Sequence, residues 1–165
     1  AGSIANGIND RGQVVGYSST TTSPGHAFLW ENGVMTDLGT LGGAGSIANG
    51  INDRGQVVGY SVTTAGSEHA FLWENGVMTD LGTLGGPVSF ASGINDRGQV
   101  VGNSLTTADS THAFLWENGV MTDLGTLDGE DISAAYGINA RGQVVGDSLS
   151  ITGSGTFHAF LWKPR

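Results

Sequence analysis

The sequence has no cysteine, one lysine and three prolines in 165 residues, and only 13% of its residues are charged. Without cysteine, disulfide frameworks, thiolate zinc sites and cysteine nucleophiles are excluded. One lysine and a formal net charge of −9 leave no basic patch for a phosphate backbone, so nucleic acid is not an expected partner. No apolar run approaches the roughly 18 residues of a membrane-spanning helix, and the first residues lack the pattern of a signal peptide. We therefore expect a soluble chain, mature or truncated, without a membrane span.

Four internal repeats make up most of the sequence. The block GINDRGQVVG begins at Gly7, Gly50 and Gly93, and its variant GINARGQVVG begins at Gly137, which gives spacings of 43, 43 and 44 residues. The block HAFLW also occurs four times, whereas ENGVMTDLGTL occurs in full three times, from Glu31, Glu74 and Glu117. A fixed period of this length is typical of arrays of one repeated supersecondary unit.

Each unit is predicted to contain four short strands, which in the first unit are Ser3–Asn9, Gln13–Ser18, His26–Trp30 and Val34–Gly39. Asn9 and Gly12 stand at the first and fourth positions of a four-residue connection, as a type I turn prefers. Asn32-Gly33 is the strongest short hairpin signal, because both residues tolerate positive φ. These connections predict antiparallel neighbours.

Apolar residues on both faces of the predicted strands indicate that each sheet is covered on both sides. Val14-Val15 and the run from Ala27 to Trp30 show no apolar–polar alternation. A period of about 40 to 45 residues with four strands favours an all-β propeller, with the order of strands from inner to outer following the chain. A parallel β-helix is the alternative. We expect one repeat domain over 1–165 with blades at 1–43, 44–86, 87–129 and 130–165, the last without its outer strand, as a four-bladed ring or half of an eight-bladed two-chain ring.

The repeated motif resembles that of a known family. The blocks GINDRGQVVG, HAFLWENG and TDLGTLGG are similar to the HAF repeat, found in bacterial proteins described as probable extracellular repeats, and all four units match. The resemblance implies a repeat fold and an extracellular or cell-surface location, and it implies no established activity. The chain departs from the pattern after Trp162, where the last strand is missing, and at Leu127–Ile132, which replaces the Leu-Gly-Gly linker.

Variation between units is concentrated in one loop. Units 1 and 2 agree at 38 of 43 positions, and their five differences all lie between the second and third strands. Such loops often form the binding surface of a repeat protein, although relaxed selection on a solvated loop gives the same pattern. The candidate ligand-binding residues in these loops are Thr22, Ser23, Ala65, Ser67, Glu68, Asp109, Ser110 and Ser154.

Four of the positions that hold the same residue in every unit each have a structural and a chemical interpretation. The histidines (His26, His69, His112, His158) are predicted to lock the third strand by a hydrogen bond rather than to bind metal. The tryptophans (Trp30, Trp73, Trp116, Trp162) are predicted to pack between blades rather than to stack on sugars. The arginines of the first turn (Arg11, Arg54, Arg97, Arg141) are predicted to contact Asp37-type carboxylates or backbone carbonyls. The asparagines (Asn9, Asn52, Asn95, Asn139) cap turns, or form a ring of carboxamides at a channel mouth.

One acidic cluster breaks the repeat at Asp128, Glu130 and Asp131. Oxygen-rich loops can hold calcium, but the spacing of an EF-hand is absent, and a solvated linker is the alternative interpretation. No nucleophile elbow or phosphate-binding glycine loop occurs, so we expect no enzyme and no cofactor other than this weak calcium site.

Two functions from different classes fit these observations. The first is a non-catalytic extracellular interaction module whose variable loops bind a carbohydrate, a surface polymer or another protein. The second is a structural subunit that assembles with itself into rings or fibres, including a consensus repeat without a dedicated ligand. We expect the chain to form a homodimer or a higher homo-oligomer.

Overall fold

A computed structural model describes residues 2–19, 24–128, 130–151 and 155–164, and its regular structure is entirely β. Four antiparallel sheets follow one another along the chain, as the repeats predict. No helix in the described ranges is long and apolar enough to cross a membrane. The strands are β1 (Gly2–Ile8), β2 (Val14–Ser19), β3 (His26–Glu31), β4 (Val34–Asp37), β5 (Gly42–Ile51), β6 (Val57–Thr63), β7 (Glu68–Glu74), β8 (Val77–Asp80), β9 (Gly85–Ile94), β10 (Val100–Thr106), β11 (Thr111–Glu117), β12 (Val120–Asp123), β13 (Ile132–Ile138), β14 (Val144–Leu149) and β15 (Phe157–Trp162).

Each sheet is one propeller-like blade, and we number the blades 1 to 4. Blades 1 to 3 have four strands paired in chain order, and the described residues of blade 4 form the three strands β13, β14 and β15. First strands of neighbouring blades contact one another, whereas the fourth strands make their extensive contacts within their own blade. The first strand is therefore innermost, which confirms the predicted order. β5 and β9 begin slightly before the predicted blade boundaries, at Gly42 and Gly85.

Both predicted turn types are present. The Gly12 amide donates to the Asn9 carbonyl at 3.0 Å, which closes the four-residue turn between β1 and β2. Asn32 and Gly33 both have positive φ, at 51° and 83°, as the tight hairpin between β3 and β4 requires. Because the strands are antiparallel, these two turns lie at the same end of each blade, which we call the turn end. The connections between second and third strands and the linkers between blades lie at the opposite end, the loop end.

The cores lie between the blades. Between blades 1 and 2, Val15 and Ala27 pack against Val57 and Phe71, and all four are buried. The same positions meet at the next two junctions. A blade therefore has two different apolar faces, one that contacts the preceding blade and one that contacts the following blade, which explains the loss of alternation in the sequence.

A buried serine on the inner strands of blades 2, 3 and 4 links each of these blades to the preceding one. The Ser46 hydroxyl accepts a hydrogen bond from the Ala27 amide at 2.8 Å and donates to the Gly39 carbonyl at 2.6 Å. Ser89 and Ser133 repeat this arrangement at the next two junctions. These bonds satisfy backbone groups that would otherwise be buried without partners.

The blades of this chain form an open arc. Ile8 of blade 1 and Val145 of blade 4 are 70% and 50% exposed, whereas Val15, Val58 and Val101, the equivalents of Val145, are completely buried. The described residues of blades 1 and 4 form no mutual core cluster. The described residues therefore do not close into the four-bladed ring that was one of the two predictions. The other, an eight-bladed ring of two chains, remains a prediction.

Candidate functional site

The asparagines predicted at a channel mouth lie at the turn end, where they bridge blades. The Asn52 carboxamide accepts from the amides of Arg54 and Gln56, and it donates to the Gln56 side chain and to the Asn95 carbonyl of the next blade. Asn9 and Asn95 make the same contacts with their neighbours. Asn139 keeps the bonds within its own turn. The carboxamides of Asn9, Asn52 and Asn95 are thus used within the protein on both their donor and acceptor sides.

A groove of about 620 Å³ runs along the turn end of blades 2 to 4. The Arg97 guanidinium donates to the Gln99 side chain at 2.7 Å, and Arg54 donates to the Asp96 carbonyl at 3.2 Å. Arg54 also lies 3.8 Å from the Glu74 carboxylate. Arg141 and Trp116 complete the charged and apolar parts of the lining. The predicted contact of arginine with backbone carbonyls is present, but the Asp37-type carboxylates face histidines instead.

The described parts of the variable loops lie at the loop end, where a linker leucine, Leu41, pairs with Thr63. Ala65 and Asp109 are exposed at loop tips, and Asp109 has a φ of 58°. The Ser110 hydroxyl donates to the Asp131 carbonyl, which connects a predicted loop residue to the acidic linker. Three of the predicted residues, Thr22, Ser23 and Ser154, lie outside the described residues.

A cavity of about 180 Å³ opens at the loop end between blades 1 and 2. It is lined by Tyr17, Tyr60, Ile47 and Glu68, of which Glu68 is a predicted loop residue. Burial and the nearby Glu68 carboxylate raise the pKa of Tyr60. Aromatic rings beside a carboxylate form a surface suited to a sugar. The C–H groups of the sugar can pack against the tyrosine rings, and a sugar hydroxyl can donate a hydrogen bond to the carboxylate.

The residues of the predicted calcium site contact different partners. Glu130 pairs with His158, and the Asp131 carboxylate accepts from the Ile151 amide at 2.7 Å. Hydrogen bonds from Ser148 and His158 lower the pKa of Glu130. Within the described ranges, no group of three or more histidine or acidic side chains has a geometry that could hold a metal ion.

The histidines join the third and fourth strands, as predicted. His26 Nδ1 lies 2.9 Å from Asp37 Oδ2, and the distance is 2.8 Å for both His69–Asp80 and His112–Asp123. Burial raises the pKa of Asp37, but the Gly39 amide and His26 lower it by more, so that it lies below its ordinary value. In blade 4, Glu130 of the linker takes the place of the fourth-strand aspartate as the partner of His158.

The two uncovered blade faces are the largest irregularity in the repeat. The leading face, on blade 1, exposes Ile8, Trp30 and Met35, whose equivalents in blade 2 pack in the first core cluster. The trailing face, on blade 4, exposes Val145, Ala159 and Leu161. Trp30 is exposed, whereas Trp73, Trp116 and Trp162 are partly buried against the core clusters that each blade forms with the preceding one, in agreement with the predicted packing between blades.

The polar groups of the two faces also match. At the internal junctions a serine accepts from an alanine amide, and an asparagine carboxamide donates to the carbonyl of the next asparagine. The leading face offers Ser3 and the Asn9 carbonyl, and the trailing face offers the Ala159 amide and the Asn139 carboxamide, at the equivalent positions. Tyr136 stands at the inner-strand position that Asn6 and Asn49 hold in blades 1 and 2, and it donates to Asp147. Burial and the Asp147 carboxylate raise the pKa of Tyr136.

The faces were not identified from the sequence as candidate sites. Their signal is the repeat itself, since the residues of the first three strands that are buried between internal blades have equivalents on blade 1 or blade 4. The arginine groove was missed because it depends on residues about 40 positions apart that become neighbours when blades stack.

Comparisons with known proteins define the class of fold. Among solved structures, TolB from Acinetobacter baumannii superimposes with a TM-score of 0.59 over 94% of this chain, at 13% identity. The match covers 42% of the TolB chain, so this chain spans less than half of that protein. No model of a known protein family matches the sequence, and no curated protein matches it either. The chain is an all-β, propeller-like repeat protein.

Proposed function

We propose that this protein is a non-catalytic, self-assembling blade array, in which the trailing face of one copy packs on the leading face of the next. The observation that supports the proposal is the repetition of one interface. Val145, Ala159 and Leu161 on the trailing face are equivalent to residues that cover the next blade at the three internal junctions.

Burial of these faces provides the driving force. The apolar residues of both faces are completely or largely buried at internal junctions, so an end-to-end contact removes a comparable apolar area from water. A head-to-tail contact of this kind closes into a ring when its rotation fits and otherwise continues as a filament. Two copies would give the eight blades predicted from the sequence. The resemblance to extracellular HAF repeats adds a bacterial surface location to the proposal.

Native mass spectrometry and sizing with light scattering test this function. The chain has a mass of 16.9 kDa, and we expect species of about twice that mass or more whose population rises with concentration. Ile8→Glu and Val145→Glu each place a charge on one face and should give monomers. Val77→Glu is the matched control, because Val77 is 62% exposed on the outer strand of blade 2 and away from both faces. A monomer at all concentrations, or dissociation by the control as well, contradicts the proposal.

A second candidate function is carbohydrate binding at the loop end, in the cavity formed by Tyr17, Tyr60 and Glu68. The tyrosines supply apolar ring area and the carboxylate supplies a hydrogen-bond acceptor. A glycan array identifies the ligand, and Glu68→Gln should then weaken binding. Glu74→Gln changes the same residue type at the turn end of the same blade and should leave binding unchanged. Equal effects of the two substitutions would show that the carbohydrate does not bind in this cavity.

A further inference from the structure

The arginine groove at the turn end of blades 2 to 4 offers more hydrogen-bond donors than the protein itself uses. Its lining combines the guanidinium groups of three successive blades, Arg54, Arg97 and Arg141, with an indole ring and several amide side chains. Its volume of about 620 Å³ lies within the range of about 300–1,000 Å³ that is typical of ligand sites. The groove is therefore large enough to hold a ligand.

Arg54 is arranged differently from its equivalents in blades 1 and 3, although all three lie in identical copies of the block GINDRGQVVG. Arg11 and Arg97 each donate from Nε and Nη2 to the glutamine of their own turn, at 2.7–3.2 Å. Arg54 instead donates from Nη1 to the Asp96 carbonyl at 3.2 Å, and its Nη2 lies 3.8 Å from Glu74. Among the described residues, the fork formed by Nε and Nη2 of Arg54 therefore has no acceptor at hydrogen-bond distance.

A buried glutamine in the same turn also has an unused donor. Gln56 is 4% exposed and lines the groove. Its Oε1 accepts from Asn52, but within the described ranges its Nε2 donates to no acceptor, whereas the equivalent Nε2 of Gln99 donates to Glu117. Arg54 and Gln56 therefore present free donors in one groove. A carboxylate on a ligand is the acceptor that such donors bind most strongly.

The groove also has an apolar part, formed by Trp116 and Leu72. Trp116 is half-buried and packs against the core between blades 2 and 3, which fixes its position while it lines the groove. The apolar C–H face of a pyranose ring can pack on an indole ring of this kind. Glu117 and Asn118 also line the groove and provide acceptors and donors for sugar hydroxyls.

The charges of the groove favour a ligand whose carboxylates are well separated. Three arginines and two glutamates, Glu74 and Glu117, line the groove, which leaves an excess of one positive charge. The whole chain has a formal net charge of −9, so a densely charged polyanion would be repelled. Arg54 and Glu74 are both solvent-accessible, and an exposed ion pair of this kind is weak, so a ligand carboxylate can replace Glu74 beside Arg54.

We propose that the arginine groove binds an acidic oligosaccharide built from uronic acid units. One carboxylate accepts hydrogen bonds from the Nε–Nη2 fork of Arg54 and from Gln56 Nε2, and a pyranose ring packs on Trp116. Arg97, one blade further along, faces the carboxylate of a neighbouring unit. The site lies within one chain and does not depend on the end-to-end contact. It also differs from the loop-end cavity, where Glu68 would repel a carboxylate and favours an uncharged sugar.

Isothermal titration calorimetry with trigalacturonate and with its trimethyl ester tests the class of ligand on the intact chain. We expect saturable binding of the acid and binding of the ester that is weaker by about tenfold or more, because the ester lacks the charge. Binding of the acid should also weaken when the NaCl concentration is raised from about 50 mM to about 500 mM, since the arginines are exposed. Equal binding of acid and ester, or no saturable binding of the acid at millimolar concentrations, would overturn the inference.

Substitutions of arginine locate the site. Arg54→Ala should weaken binding of the acid by about tenfold or more, and Arg54→Lys should also weaken it, because lysine keeps the charge but lacks the planar fork. Arg11→Ala is the matched control, since it changes the same residue of the same block in blade 1, outside the groove, and should leave binding unchanged.

A second pair of substitutions tests the apolar part of the groove. Trp116→Leu should weaken binding of the acid by about tenfold. Trp73→Leu changes the equivalent residue between blades 1 and 2, where it does not line the groove, and should leave binding unchanged. Thermal melts establish that all variants are folded at the temperature of the titrations.

Equal losses within either pair of variants would place the binding outside the groove and overturn the inference. Equally strong binding of an acidic peptide or of inorganic phosphate would show a general anion site and overturn the assignment to a carbohydrate. If the acid binds to a chain that stays monomeric, the inference stands and the proposed assembly fails. If the chain assembles and the acid does not bind, the assembly stands and the inference fails.

Discussion

The carboxamide of Asn52 in blade 2 donates a hydrogen bond to the backbone carbonyl of Asn95 in blade 3, at 3.0 Å. Residues 43 positions apart in the sequence are thus joined at the turn end of adjacent blades. Asn52 also holds its own turn through Arg54 and Gln56. Local turn geometry and packing between blades therefore depend on one side chain, which leads to the first prediction.

Asn52→Ala should destabilise the protein by about 2–3 kcal/mol, because the amides of Arg54 and Gln56 lose their acceptor and the Asn95 carbonyl loses its bond from blade 2, keeping only the one from the Gly98 amide. Asn139→Ala is the matched control: Asn139 makes the same bonds within its turn, but it is exposed and has no following blade among the described residues. Its cost should be smaller. Urea unfolding followed by tryptophan fluorescence measures both, and equal losses would show that the contact between blades contributes little.

Ser89→Ala should cost about 1–3 kcal/mol, because the Ala70 amide and the Gly82 carbonyl lose their partner in a buried position. Ser3→Ala changes the equivalent serine of blade 1, which is exposed. We expect Ser3→Ala to leave the free energy of unfolding of the monomer unchanged but to weaken end-to-end association. Thermal unfolding and native mass together separate the two effects, and a destabilised Ser3→Ala monomer would disagree with this assignment.

Gly59→Ala should prevent normal packing of blade 2. A Cβ at this position would lie 1.9 Å from the Ile47 carbonyl oxygen, which cannot move without separating β5 from β6. We expect a loss of at least about 3 kcal/mol, in the upper range for overpacked sites. Gly2→Ala is the control, since a Cβ there meets no atom within 4 Å. A Gly59→Ala protein with a normal melting temperature would show that β5 and β6 can separate locally at low cost.

The contacts of the Asp37 carboxylate with the Gly39 amide and His26 predict a dependence of stability on acid. Because the pKa of Asp37 is lower in the folded chain than its ordinary value of 3.8, these contacts stabilise the protein fully above that value. The stabilisation is lost as the pH falls below 3.8 and through the lowered pKa. Asp37→Asn should reduce the slope of stability against pH in this range and leave it unchanged above about pH 5. Thermal melts from pH 2 to pH 7 measure the slope, and an unchanged acid slope would contradict the assignment.

Completing blade 4 covalently should stabilise the chain. Replacing residues 163–165 with the sequence of residues 31–39 supplies a fourth strand through the natural Asn-Gly hairpin. We expect the melting temperature to rise by at least about 2–4 °C, which corresponds to roughly 1 kcal/mol for a chain of this size. The same extension with glutamate in place of its methionine should give a smaller rise. No rise in either protein would show that β15 does not pair with a fourth strand in the registry that β3 and β4 have in blade 1.

Local sequence was sufficient for most of the blade. Asn32-Gly33 indicates a hairpin because both residues tolerate positive φ, and the structure has that turn. The exposed faces required tertiary information, because Val145 lies in the same GQVVG block as the completely buried Val101 but has no following blade among the described residues. The arginine groove also required it, since Arg54, Arg97 and Arg141 become neighbours only when the blades stack.

The sequence by itself determined the repeat, the strand order within each blade and the two turn types, because these depend on local backbone preferences and on a period that can be counted. Only the tertiary structure decided which groups are satisfied and which remain open. It showed that the asparagine carboxamides are used between blades, that His158 has a substitute partner in Glu130, and that blades 1 and 4 each expose one face. The physical reason is that burial and hydrogen-bond satisfaction depend on the neighbouring blade, and identical sequence units acquire different environments according to their position in the array.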